Sequence, residues 1–121
     1  MKQIYKILSL KSLILSIFIL FMGTSIYAET TFEKIKRTGK VTVGTEAAFP
    51  PFEFVKDGKI VGYGKDILDY IIADLGVELN QLDLPWQGIL PGVLAGKFDF
   101  VATSVSIRAE RAKKYAFTVP I

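Results

Sequence analysis

The residues with the clearest capacity for chemistry are three hydroxyls and one arginine: Thr103, Ser104 and Ser106, with Arg111 shortly after. A guanidinium is a permanently charged planar fork that matches a carboxylate, and hydroxyls supply directed hydrogen bonds. The hydroxyl turn precedes a short basic helix, expected over Arg108 to Lys114, so the free N–H groups of a helix start lie beside it. Those groups favour an anion. Three further residues belong with them: Glu46 and Phe49 in T-E-A-A-F-P-P (45–51), and Trp86 directly after Pro85. As a set they suit a zwitterion. Arg111 takes the carboxylate, and Ser104 and Ser106 add hydrogen bonds. Phe49 and Trp86 wall the side chain, and Glu46 faces a positive group. Each residue also has a plainer use, as a core plug, a helix cap or an ion pair of Arg111 with Glu110 or Asp99. The functional case therefore rests on convergence, which only the elements holding these residues can provide.

Those elements follow from periodicity and turn signals. Lys40 to Gly44 (KVTVG) reads as a short β-branched strand after a charged lead-in, Glu29 to Gly39, with room for one helical turn. Thr45 to Pro51 is a loop. Phe52 to Val55 and Ile60 to Tyr63 read as strands joined by Lys56-Asp57-Gly58-Lys59, and Asp-Gly is a strong hairpin signal. Lys65 to Leu75 carries Ile67, Leu68, Ile71, Ile72 and Leu75 at helical spacing and stops at Gly76. Val77 to Leu84 reads as a strand. Trp86 to Ala95 reads as a helix in which Pro91 should kink the chain or mark the true first turn. Phe98 to Ala102 is a buried strand, and Tyr115 to Val119 a closing one. Alternation of this kind predicts an α/β fold: a mostly parallel sheet with helices on both faces. Ligands of such sheets sit outside the carboxyl ends of the strands, and the strand ends lead to Glu46, Trp86 and Thr103.

Composition narrows the class. The 121 residues contain no Cys and no His, which excludes disulfides, thiol chemistry, His-based triads and His or Cys metal sites. Residues 1–28 follow the plan of a secretory signal: Lys2, Lys6 and Lys11, then the apolar run Leu13 to Met22, then Ala28 before Glu29. The run is short for a full membrane span, the other use of such a segment. The formal net charge is +3, and these three lysines account for it. The remainder is neutral, so the basic overall balance gives no support for nucleic-acid binding. Export to the periplasm is expected, with residues 29–121 as one unit.

From about Lys40 to Ile121 the sequence resembles the family 3 extracellular solute-binding proteins, the amino-acid receptors of bacterial ABC importers. The resemblance is carried by G-T-E-A-A-F-P-P-F (44–52), G-Y-G-K-D-I (62–67), W-Q-G-I-L-P-G-V-L-A-G-K-F-D (86–99), S-I-R-A-E-R (106–111) and A-F-T-V-P-I (116–121). It implies a periplasmic-binding-protein-like (type II) first lobe, no cofactor, an amino acid as ligand and an inner-membrane ABC permease as partner. In the family pattern the arginine that closes S-I-x-x-x-R binds the ligand carboxylate. Here that is Arg111, not Arg108. The hydroxyl turn corresponds to Thr103, Ser104 and Ser106, the sandwiching aromatics to Phe49 and Trp86, and the first-loop polar residue to Glu46. Gly64 stands where the family often has an acid, and Arg108 where it often has a capping Thr or Ser. Family members have two lobes, and the chain stops about where the first crossover between them begins. An incomplete first lobe of marginal stability is therefore expected. Dehydratases acting on cyclohexadienyl or arogenate substrates share the pattern, as do ligand-sensing domains of larger proteins, so an enzyme and a sensor are the rival readings.

Overall fold

The computed structural model describes residues 27–120. The expected export signal falls almost entirely on residues outside them.

The lead-in is a true helix, α1 (Thr31–Thr38), longer than the single turn expected. Its start is a capping box. The Glu33 N–H donates to Thr30 Oγ1 at 3.2 Å, and the Thr30 N–H donates to Glu33 Oε2 at 2.8 Å. Gly39, in the left-handed region, ends it. Strand β1 (Lys40–Thr45) follows, then β2 (Ala48–Phe49), β3 (Glu53–Lys56) and β4 (Lys59–Val61). Asp57 and Gly58 have φ of 51° and 74°, the mirror-image turn that an Asp-Gly hairpin calls for. Helix α2 (Tyr63–Leu75), β5 (Glu78–Asp83), α3 (Trp86–Leu94), β6 (Phe100–Val101) and the single turn α4 (Ala109–Ala112) complete the order.

Two small sheets result. β5, β1 and β6 form a parallel sheet with β1 in the middle; β2, β3 and β4 form an antiparallel one. Side chains alternate along β1. Val41 and Val43 turn to one face, where Ile35 of α1 and Leu68 and Ile72 of α2 close the core. On the other face α3 brings down Ile89, which is fully buried. The Phe98 ring fills the space between two backbones there: a Cβ at Gly44 would lie 2.7 Å from it, and one at Gly92 2.6 Å. The expected arrangement, a parallel sheet with helices on both faces, is what the chain adopts.

Further expectations need correction. Thr45 to Pro51 is not wholly a loop, since Ala48 and Phe49 pair with β3 as β2. Tyr115 to Val119 is not a strand. It joins no ladder with β6, and Phe117 to Pro120 instead form one wall of a cleft. β6 is shorter than Phe98 to Ala102 because its first residues have other duties. Phe98 is the wedge just described, and the Asp99 carboxylate accepts from the Thr42 N–H at 2.8 Å and from Lys34 Nζ at 2.7 Å. Of the two places expected for Pro91, the first turn is not the one observed: it lies inside α3.

Candidate functional site

The parallel register brings three strand ends together. Thr45 stands opposite Asp83, and Gly44 opposite Val101. Backbone bonds continue the alignment past the strands: Leu84 N–H to the Thr45 carbonyl at 2.8 Å, and Ala102 N–H to the Gly44 carbonyl at 2.9 Å. Thr45 is fully buried between them. Its hydroxyl donates to the Ala102 carbonyl at 2.8 Å and accepts from Gln81 Nε2 at 2.9 Å. The Ala47 N–H donates to Asp83 Oδ1 at 3.0 Å. The segments that lead to Glu46, to Trp86 at the start of α3 and to Thr103 thus leave one edge of one sheet, held by side-chain bonds across all three strands.

Arg111 and Trp86 meet at that edge. The guanidinium carbon lies 5.3 Å from the centre of the indole ring, within cation–π range. Nη1 donates to the Ser106 carbonyl at 2.9 Å. Arg111 also stays clear of the plainer ion pair with Asp99, whose partners are Lys34 and Thr42. Arg108 is the N-cap of α4 and makes no side-chain capping bond, as its departure from a Thr or Ser cap implies.

A cleft of about 700 Å³, within the size range of small-molecule sites, opens beyond Ser106; Glu46, Trp86 and Arg111 do not line it. Phe49, Thr103, Ser104 and Ser106 all line it, together with Phe52, Glu53 and the apolar side of α2. Phe49 and Phe52 stack at 5.6 Å and 17°, and Tyr63 meets Phe52 edge-on at 6.5 Å. Phe49 is 51% exposed and Phe52 39%, which decides against their being core plugs. The loop that carries them is tied to the start of α2 by Tyr63 N–H to the Pro51 carbonyl (3.1 Å) and Gly64 N–H to the Phe52 carbonyl (2.9 Å). Glu46 is half-buried at the end of β1 and has no ion-pair or side-chain hydrogen-bond partner among the described residues.

Glu53 was not among the residues singled out from the sequence. It is 3% exposed and carries a carboxylate. Ser104 Oγ donates to its two oxygens at 3.1 and 3.2 Å, and Thr103 Oγ1 donates at 3.3 Å. Gly64 explains how it fits: a Cβ there would run into Glu53 Oε1. The acid that the family often has at position 64 would compete for this space, and here a carboxylate reaches the same place from β3. The available signal was an acid between Phe52 and Phe54, directly after the stretch of resemblance that ended at Phe52.

Comparison with known proteins identifies the family and the fold. The model of the bacterial extracellular solute-binding proteins, family 3, matches residues 41–121. The chain belongs to that family. This family 3 chain is similar to the L-cystine-binding protein TcyJ of Escherichia coli (strain K12), with 36% identity over 93 residues. That match takes in 76% of this chain but 35% of TcyJ, so the chain spans about a third of the length of the curated relatives it matches. Among solved structures, the arginine-bound form of domain 1 from TmArgBP superimposes with a TM-score of 0.69 and 42% identity, covering 72% of this chain and 70% of that one. The ancestral amino acid-binding protein AncCDT-1, a precursor of cyclohexadienyl dehydratase, gives a TM-score of 0.70 at 36% identity, over 75% of this chain and 41% of that one. These neighbours establish a periplasmic-binding-protein-like domain.

Proposed function

We propose that this chain captures a polar amino acid in the periplasm for delivery to an inner-membrane ABC importer, and that it binds without turnover. The observation that carries the reading is the placement of Arg111. Its guanidinium is held over Trp86 and against the Ser106 carbonyl, beside the hydroxyl turn and at the carboxyl ends of three parallel strands. A planar fork held by stacking and one backbone bond still has donors left for a carboxylate. Phe49 and Trp86 supply flat apolar walls, and Glu46, without a partner among the described residues, is available to a cationic group of the ligand.

The relatives support the same class. TcyJ is named for cystine, and domain 1 from TmArgBP is described as arginine-bound. The latter matters for a chain of this length, because it is a single domain with ligand in place. A cationic or polar amino acid is therefore the first ligand class to test.

The experiment is a thermal-shift panel of the common amino acids and prephenate on the full chain, beside Arg111→Ala. One amino-acid class should raise Tm, and the variant should weaken its binding by about ten- to a hundredfold, the worth of hydrogen bonds to a charged group. Absence of a shift with every amino acid would overturn the reading. Turnover of prephenate would replace it with the dehydratase reading that AncCDT-1 brings to mind.

A further inference from the structure

Glu53 takes no part in the amino-acid capture proposed above, although among the described residues it is the one buried acid that lines the cleft. It makes no salt bridge among the described residues, and its hydrogen bonds come from Thr103 and Ser104. Its carboxylate lies against Gly64 in the first turn of α2, where a helix favours negative charge. A carboxylate only accepts hydrogen bonds, whereas a hydroxyl has one proton and two lone pairs. When Thr103 and Ser104 both donate to Glu53, their protons are committed. What they turn toward the cleft is oxygen lone pairs.

We propose that Glu53 is a positioning residue that fixes the polarity of the hydroxyl turn, so that Thr103 and Ser104 receive an N–H donor from the ligand and not its carboxylate. This rests on the amino-acid reading above and deepens it. It also revises the sequence-based assignment, in which Ser104 helps Arg111 to hold the carboxylate. The site is then divided into two poles. Arg111 and the backbone beside it take the anion. The hydroxyl turn, backed by the Glu53 charge, takes nitrogen-borne protons. A neutral acceptor-rich ligand is rejected at the second pole, because four lone pairs would face it with no donor between them. Glu53 achieves this without touching the ligand; at 3% exposure it acts through the two hydroxyls. The N–H donor can be the α-ammonium or a side-chain guanidinium, and the choice of probes separates them.

The test uses the 121-residue chain and titration calorimetry with three probes: L-arginine, deaminoarginine (which lacks the α-ammonium) and L-norleucine (which lacks the guanidinium). Wild type should favour L-arginine over one of the two analogues by about tenfold or more, the worth of a charge-assisted hydrogen bond. In Glu53→Gln the amide must donate to one hydroxyl, whose proton then turns toward the cleft. That preference should fall to within about threefold, while binding through the shared carboxylate persists. Loss of preference over deaminoarginine places the α-ammonium at the turn; loss over L-norleucine places the guanidinium there. Ser104→Ala should narrow the same preference, and it decides the matter if Glu53→Gln does not fold. Equal weakening of all three probes, or an unchanged preference, overturns the proposal and leaves the amino-acid reading intact. If wild type binds none of the probes, arginine is not its ligand, and the amino-acid reading is left to the thermal-shift panel above. Hydroxyl polarity is then decided without ligand, by NMR. Slowly exchanging Thr103 and Ser104 hydroxyl protons that vanish in Glu53→Gln support Glu53 as their acceptor, and their absence from wild type refutes it.

Discussion

Gly44→Ala should destabilise this fold strongly for the addition of a single methyl group. The new Cβ would lie 2.7 Å from both Cε2 and Cζ of Phe98, well inside contact distance. The ring has little room to retreat, because on its other side a Cβ at Gly92 would sit 2.6 Å from Cε1, so that backbone is already in contact. Phe98 is itself 5% exposed, and Gly44 lies in the central strand, bonded on both sides. Relief therefore requires β1 and α3 to move apart. Overpacking of this kind costs about 1–3 kcal/mol, and the trapped ring argues for the upper half of that range. For a domain of this size, a loss of about 2–3 kcal/mol lowers Tm by roughly 10–20 °C. Urea unfolding followed by far-UV circular dichroism measures it directly. The mechanism makes a second demand. Phe98→Leu alone should also destabilise, through the cavity it leaves. The double variant should then be less destabilised than the sum of the singles by about 1 kcal/mol or more, because the smaller side chain admits the methyl. Gly44→Ala within about 0.5 kcal/mol of wild type, or strict additivity in the double variant, would refute the wedge. Because Gly44 leads directly into Thr45 and Glu46, and α3 starts at Trp86, the same change should weaken any ligand held at the strand ends.

Arg111→Lys should keep some ligand affinity but lose the greater part of it, since an ammonium retains the charge without the planar fork; calorimetry beside Arg111→Ala reads the ordering. Asp99 should make the fold acid-sensitive. Burial raises the pKa of its carboxyl, but the hydrogen bond from Lys34, the N–H of Thr42 and the Lys34 charge outweigh this and hold it below its usual value. A depressed folded pKa means stabilisation that is complete above the unfolded value, near pH 4, and is lost as pH falls through the folded one. Asp99→Asn should therefore cost about 1–3 kcal/mol at pH 7, with the gap narrowing in urea titrations below about pH 4. Thr30→Ala should cost about 1 kcal/mol by removing the capping box, visible as a Tm lower by roughly 5 °C; an unchanged Tm would mean that α1 frays without consequence for the core.

The sequence by itself determined the class of fold. Apolar spacing in Lys65 to Leu75, the β-branched run at Lys40 to Gly44 and the Asp-Gly turn at 57–58 are local signals. Local physics reads them within a residue or two of the observed bounds. It also determined which segments leave the sheet at the carboxyl ends of its strands, because strand ends followed by loops are a one-dimensional pattern. The capping box at Thr30 and Glu33 is an equally local signal, and it marks the start of the longer α1 that the structure shows. Tertiary structure alone decided the rest. Whether Tyr115 to Val119 is a strand depends on a partner to pair with, and no propensity of its own residues supplies one. Whether Gly44 and Gly92 are loose or indispensable depends on a ring that reaches them from Phe98. Glu53 is the clearest case. In sequence it is an ordinary acid on an amphipathic strand; in the fold it is buried, tens of residues away in sequence from the two hydroxyls it orients. A hydrogen bond has a direction as well as a distance, and which way a hydroxyl points is set by the acceptor that folding brings to it.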